Sequence, residues 1–204
     1  MLNITLRLEQ PSDHSEVENL VREAFWNKYQ PGCDEHYLLH LLRDSAGYFP
    51  DMHYLAVVDG RIVGSIVYSR ARVVGADGQE WPMLTFGPLS VLSEFQRQGI
   101  GSALVHYTVP LAQQKGETAI LMFGDPAYYS RFGFKPSSAY NITLPDGSSI
   151  DAFQTLELRP GSLRGIAGSY YEDETFSQLA PDKVAAFDSA FPPKEKLRLP
   201  GQFR

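Results

Sequence analysis

Cysteine is almost missing: Cys33 is the single one in 204 residues. One thiol closes no intramolecular disulfide and builds no cysteine zinc site, so a reducing compartment, the cytoplasm, is expected. The histidines do not fill that gap. His36, His40 and His53 follow no metal-ligand spacing, and no metal is expected. No apolar run is long enough to cross a bilayer, so no membrane partner is expected. The opening Met1-Leu2-Asn3-Ile4-Thr5-Leu6-Arg7 alternates apolar and polar, without the basic start and apolar stretch of a secretory leader. Positive charge is scarce as well. Eighteen Lys and Arg stand against 24 Asp and Glu, a net charge of −6. That argues against nonspecific nucleic-acid binding, which rests on cations meeting phosphate, and it suits a cationic ligand such as an amine.

What is present reads as one domain with an elaborated terminus. A chain this long buries roughly 70% of its unfolded surface and needs no staples. Residues 3–8 alternate as a strand. Asp13 and Glu16 have the spacing of a capping box, and Val17, Leu20, Val21, Ala24 and Phe25 recur at helical spacing. A second helix is expected over 34–44. Three strands follow, 53–58, 62–74 and 81–91, joined by turns at Asp59-Gly60 and Asp77-Gly78. A helix over 99–115, a strand over 118–123, helical turns over 126–131 and a strand over 132–135 come next. Further strands are expected over 142–144, 150–158 and 165–171, then a helix over 181–191 and a surface tail. This mixed order predicts an α/β or α+β layer with helices on both faces of one sheet.

Between the third of those strands and its helix stands Gln96-Arg97-Gln98-Gly99-Ile100-Gly101-Ser102. The first turn of a helix has N–H groups without internal partners, and the helix dipole is positive there. Glycine lets a phosphate approach that backbone, and Arg97 and Ser102 add charge and a hydroxyl. Two glycines also merely ease a strand–helix connection, and that reading stays open at this point. No lysine follows as in a P-loop, and the third glycine and acidic residue of a dinucleotide fingerprint are missing.

Gln96-Arg97-Gln98-Gly99-Ile100-Gly101 matches the Q/R-x-x-G-x-G/A signature, and the chain thereby resembles the GNAT superfamily of acyl-CoA N-acyltransferases. The segment Asp125-Pro126-Ala127-Tyr128-Tyr129-Ser130-Arg131-Phe132-Gly133-Phe134 is similar to a second motif of that family, and to a bacterial branch called YhbS-like. The resemblance covers about residues 3–158. It implies a GNAT-like mixed, mostly antiparallel sheet flanked by helices on both faces and splayed at the acyl-CoA site. Acetyl-CoA is the implied co-substrate. The N–H groups from Arg97 to Ser102 would hold its pyrophosphate, with Gln96, Asp125 and Tyr128 also on the cofactor side. The backbone of Leu89, Ser90 and Val91 would face pantetheine and thioester after a break at Gly87-Pro88. Tyr129, four residues before Gly133-Phe134, would protonate the leaving thiolate. Residues 1–158 would form the acyltransferase domain and 159–204 an extension packed on it.

The acceptor implied is a primary amine, on a small molecule or a protein. Deprotonating an amine with a lysine-like pKa of ~10.4 costs about 4–5 kcal/mol at pH 7. The family often places a glutamate on the strand before the phosphate turn, but Met83–Leu89 holds no carboxylate. Glu23, Asp34 and Glu35 are alternative bases, as are water chains. Cys33 is a weaker choice of nucleophile, with no identified base. The missing carboxylate also motivates a second reading, a catalytically silent acyl-CoA sensor. A third is an interaction protein that forms a homodimer through Phe176, Phe187, Phe191 and Phe203, although closing the monomer's own core is the favoured reading of these residues.

Overall fold

The structure, a computed structural model, describes residues 2–202; Phe203 lies outside the described residues. β1 (Ile4–Leu8), α1 (His14–Phe25) and α2 (Glu35–Arg43) precede β2 (Tyr54–Val58), β3 (Arg61–Val74) and β4 (Glu80–Val91). Then come α3 (Ile100–Gln114), β5 (Ala119–Phe123), α4 (Pro126–Tyr129), β6 (Lys135–Pro136), β7 (Ile142–Thr143), β8 (Phe153–Glu157), β9 (Gly168–Tyr171) and α5 (Pro181–Asp188). The sheet is mixed, mostly antiparallel and flanked by helices. Its order is β1-β2-β3-β4-β5-β8-β6, with β9 beside β3 and β7. The parallel pairs are β4–β5 and β7–β9.

Two local expectations change. Asp13 does not cap α1. Its carboxylate accepts the Gln10 N–H at 2.8 Å and pairs with Arg7 at 2.6 Å, one turn earlier. The strand expected over 132–135 shrinks to Lys135–Pro136, because Ser130–Phe132 forms a 3-10 turn that Gly133 ends at φ 90°. A left-handed residue of that kind costs glycine little.

Contacts divide the chain into two compact units. The first comprises Met1–Val67, Pro88–Leu104 and Glu174–Arg204. Here α3 lies directly on β3: a Cβ on Gly64 would come within 2.9 Å of Ile100 Cγ2 and 3.3 Å of Leu104 Cδ1. A polar network joins β1, α1, α2 and β2. Arg43 bridges Glu9 and Glu18 at 2.6 Å each, and His53 Nδ1 lies 2.9 Å from Glu9 Oε2. The far nitrogen of His53 meets Ser65 Oγ at 2.9 Å. Burial opposes ionisation of Glu9, but hydrogen bonds from His53 and Arg43 outweigh it and hold its pKa at about 2. Burial keeps His53 below its ordinary value.

α5 docks through Asp188, which accepts from Arg22 Nε at 2.6 Å. Arg22 is 1% exposed and lies 4.2 Å from the Trp26 ring. Phe187 and Phe191 pack on His36 at 5.5 and 5.3 Å, inside this unit. The tail is not loose. Asn27, left-handed at φ 58°, accepts from Gly32 and Leu197 and donates to Glu195 O.

The second unit comprises Tyr68–Gly87 and Val105–Asp173. Its core holds Ala71, Val73, Met83, Leu121, Phe153 and Tyr170. Leu84 and Phe86 alternate with Met83 and Thr85 along β4, so they project from its opposite face. There Phe86 meets Tyr68 at 5.4 Å, and Tyr68 hydrogen-bonds Thr108 of α3 at 2.9 Å.

Glu9 sets a pH test. Its folded pKa lies below the carboxylate value of 4.5, so its stabilisation is present above pH 4.5 and lost as pH falls toward 2. Glu9→Gln is expected to remove roughly 3 kcal/mol of stability at neutral pH and to flatten the acid slope, read by denaturant titration at several pH values. An unchanged acid slope contradicts the assignment.

Candidate functional site

The turn after β4 belongs to the first unit. β4 runs as one strand through Gly87-Pro88, and its pairing with β5 is at Leu84↔Ile120, ahead of that dipeptide. A 3-10 turn, Ser93–Phe95, then leads into Gln96. Gln96 Nε2 donates to Val91 O at 2.9 Å and Gln98 Nε2 to Glu94 O at 2.8 Å. Both glutamines thus brace the loop from within. Arg97 (φ 60°) and Gly99 (φ 88°) are left-handed. Such conformations in a turn converge successive N–H groups into an anion-binding concavity. The first helical bond runs from Ala103 N–H to Gly99 O, 2.8 Å. The N–H groups of Ile100, Gly101 and Ser102 precede it, so they lack intrahelical partners. Gln96 to Gly99 are exposed, and Ile100 is anchored in the core at 1% exposure.

Leu89 and Val91 are half-buried and Ser90 is buried, so their side chains alternate across the strand. Among the described residues, Ser90 Oγ has no hydrogen-bond partner.

The tyrosine segment belongs to the second unit. Asp125 caps α4, its Oδ1 accepting the Ala127 N–H at 2.9 Å. Tyr129 is 9% exposed and lies among Phe86 (5.8 Å), Phe134 (5.7 Å) and Tyr128 (4.9 Å). Tyr128 is half-buried and carries Arg131 over its ring at 4.7 Å. Gly124 is the residue that sequence reasoning missed. A Cβ there would fall on the Tyr129 ring, 2.6 Å from Cδ2.

The candidate bases sort by environment. Glu23 is half-buried and paired with Lys194 at 2.7 Å. Glu35 is half-buried; burial first, then the Asp34 charge, raises it to about 7. Cys33 Sγ lies 3.4 Å from His36 Nδ1. His36 Nε2 lies 3.2 Å from Asp188 Oδ1, though not in hydrogen-bonding geometry. The grouping has the residue types of a thiol triad, but burial pushes the thiol pKa far up and His36 down. A neutral buried thiol is not a nucleophile. Among the described residues, no group of three or more His, Cys, Asp or Glu can hold a metal ion, and no helix is long and apolar enough to cross a membrane.

The profile of the acetyltransferase (GNAT) domain matches residues 50–136, which include both motifs' central residues. The uncharacterised N-acetyltransferase YhbS of Escherichia coli K12 is 29% identical over 175 residues, 85% of this chain and 99% of that one. A crystal structure of YhbS from Escherichia coli in complex with CoA superposes with a TM-score of 0.77 at 26% identity, covering 88% of this chain and 95% of that one. The chain has the GNAT fold, and residues 50–136 match the GNAT acetyltransferase domain. A second GNAT acetyltransferase structure, from Brucella melitensis in complex with acetyl-CoA, gives a TM-score of 0.70 at 25% identity over 86% of this chain and 99% of its own.

Within this fold, Gly124 explains how Tyr129 reaches its place: the glycine leaves room for the ring that the next helical turn returns. Gly124→Ala is expected to cost about 1–3 kcal/mol through overpacking. Tyr129→Ala in the same chain should relieve most of that penalty, giving a clear coupling in a double-mutant cycle read by denaturation. Additive effects would show that the ring does not lie on Gly124.

Proposed function

We propose that this chain transfers an acetyl group from acetyl-CoA to a primary amine by direct attack. The observation that carries this reading is the N-terminus of α3, where the Gln96–Gly101 loop presents unpartnered N–H groups at the positive end of a 15-residue helix. That is a site for the CoA pyrophosphate, and exposed Arg97 adds a positive charge. The solved relatives that hold CoA and acetyl-CoA support the choice of ligand.

The thioester then lies where β4 leaves β5, with backbone N–H groups near Leu89 stabilising the carbonyl oxygen. The amine nitrogen bonds to the carbonyl carbon, the C–S bond breaks, and Tyr129 gives its proton to the departing thiolate. A phenol with an ordinary pKa of ~10 still carries that proton at pH 7. Residues 159–204 are read as an extension of the same acyltransferase domain, and the reducing cytoplasm as its compartment, on the strength of one unpaired thiol.

The direct experiment follows CoA release from acetyl-CoA with a thiol reagent across small amines, amino sugars, amino acids and peptide N-termini. Turnover with one class names the acceptor. Tight acetyl-CoA binding with no turnover across that panel favours the silent sensor, which the absence of a carboxylate over Met83–Leu89 motivates. Gly101→Leu is expected to weaken acetyl-CoA binding at least tenfold in calorimetry, because the side chain blocks the phosphate's approach. Tyr129→Phe is expected to lower kcat about a hundredfold while the acetyl-CoA Kd holds. Unchanged binding in the first variant, or an unchanged rate in the second, contradicts the role assigned.

A further inference from the structure

β5 shares its backbone groups alternately between two neighbours. The bonds from Leu158 N–H to Thr118 O (3.1 Å) and from Gly124 N–H to Ala152 O (2.8 Å) fix the phase. With Leu121 opposite Thr155, residues 118, 120, 122 and 124 direct their N–H and C=O toward β8. The Leu121 carbonyl therefore points toward β4. β4 meets β5 at the register pair Leu84↔Ile120, so this carbonyl stands just beyond it, where the strands part.

A side chain occupies that place. The Tyr170 hydroxyl donates to Leu121 O at 3.5 Å. Tyr170 arrives on β9, opposite Val73 of β3, and its ring packs on Phe153 at 4.9 Å. Thr85, one residue beyond Leu84 on β4, hydrogen-bonds the same phenol, and so does the carboxyl of Glu172. One hydroxyl thus touches both arms of the fork and leads back to a carboxyl. The fork's opposite face carries Phe86 and, against it, Tyr129.

We propose that Tyr170 and Glu172 are the proton relay that accepts the amine's proton, with Tyr170 at the fork and Glu172 behind it. The proposal rests on the acetyl-transfer reading above and supplies the base that β4 lacks. With Glu172 ionised, the Tyr170 hydroxyl turns its one hydrogen from Leu121 O, a long contact at 3.5 Å, to the carboxylate. Thr85 occupies one lone pair of the phenol oxygen and leaves the other for the amine. As nitrogen bonds to the thioester carbon, its surplus proton passes to Tyr170 oxygen and the phenol's own proton passes to Glu172. The C–S bond breaks and the thiolate takes its proton from Tyr129. Solvent later removes the proton from Glu172 and restores that of Tyr129. Burial raises the Glu172 carboxyl to about 7, against the Tyr170 hydrogen bond, which lowers it. Tyr170 is the titratable group that interacts with this carboxyl among the described residues. A carboxyl so placed is half ionised near neutrality, the optimum for a group that must both take and release a proton.

The test is kcat against pH, at saturating acetyl-CoA and the best amine, for wild type, Glu172→Gln, Tyr170→Phe and Glu35→Gln, with the acetyl-CoA Kd measured alongside. Wild type is expected to rise to a plateau above about pH 7. Glu172→Gln should lose at least a hundredfold in kcat at pH 7 and keep climbing past pH 9 without that plateau. Its acetyl-CoA Kd should hold. Tyr170→Phe should lose rate in the same way while keeping the ring's volume, and it carries the test if Glu172→Gln does not fold. Glu35→Gln should keep the wild-type profile. The relay alone is overturned if Glu172→Gln and Tyr170→Phe both retain the plateau, or if Glu35→Gln removes it instead. A wild type that binds acetyl-CoA but releases CoA with no amine overturns acetyl transfer, and the relay with it.

Discussion

A parallel ladder that ends early governs the chemistry proposed for this chain. β4 and β5 share the register pair Leu84↔Ile120, and three residues past Leu84 comes Gly87-Pro88, where proline has no N–H to donate. A carbonyl that leaves a ladder must find another partner, because an unpaired buried polar group is costly. Leu121 finds it in Tyr170. In the reaction proposed, the same gap that costs the sheet backbone bonds is the room for a thioester between two strands.

The anion site proposed at α3 depends on a different constraint. α3 must lie close to β3 so that its first turn is held while the loop before it stays exposed. Gly64 permits that approach, and Ile100 fixes it from the helix side. The loop carries backbone strain at Arg97, a non-glycine residue at φ 60°. Strain of this kind persists where the surroundings over-determine it, and the two glutamine side chains bonded to Val91 O and Glu94 O supply that constraint.

Local requirements were readable from the sequence, and distant ones were not. The turn proposed for phosphate is legible because a strand end, two glycines and a helix start are contiguous there. Tyr129 shows itself through its spacing to Gly133, whose left-handed φ demands glycine. Gly124 was passed over because its role depends on which ring lies over it. Glu172 was out of reach for a stronger reason: its meaning depends on β9 pairing with β3, about a hundred residues earlier, and so placing Tyr170 at the end of the β4–β5 ladder. The charged network of Glu9, Arg43 and His53 is non-local in the same way, and so is the docking of Asp188 on Arg22. Asp13 shows the opposite failure. Its spacing to Glu16 suggested a cap, but the nearer Arg7 guanidinium and Gln10 N–H take its carboxylate.

The central claim is that the first turn of α3 binds the CoA pyrophosphate through backbone N–H groups. The most direct measurement is an amide proton–nitrogen NMR titration with CoA and, separately, with pantetheine, which has no pyrophosphate. The account predicts that the Ile100, Gly101 and Ser102 amides move strongly with CoA and little with pantetheine. If those amides stay in place while CoA binds and shifts signals elsewhere, the phosphate site lies elsewhere and the account fails.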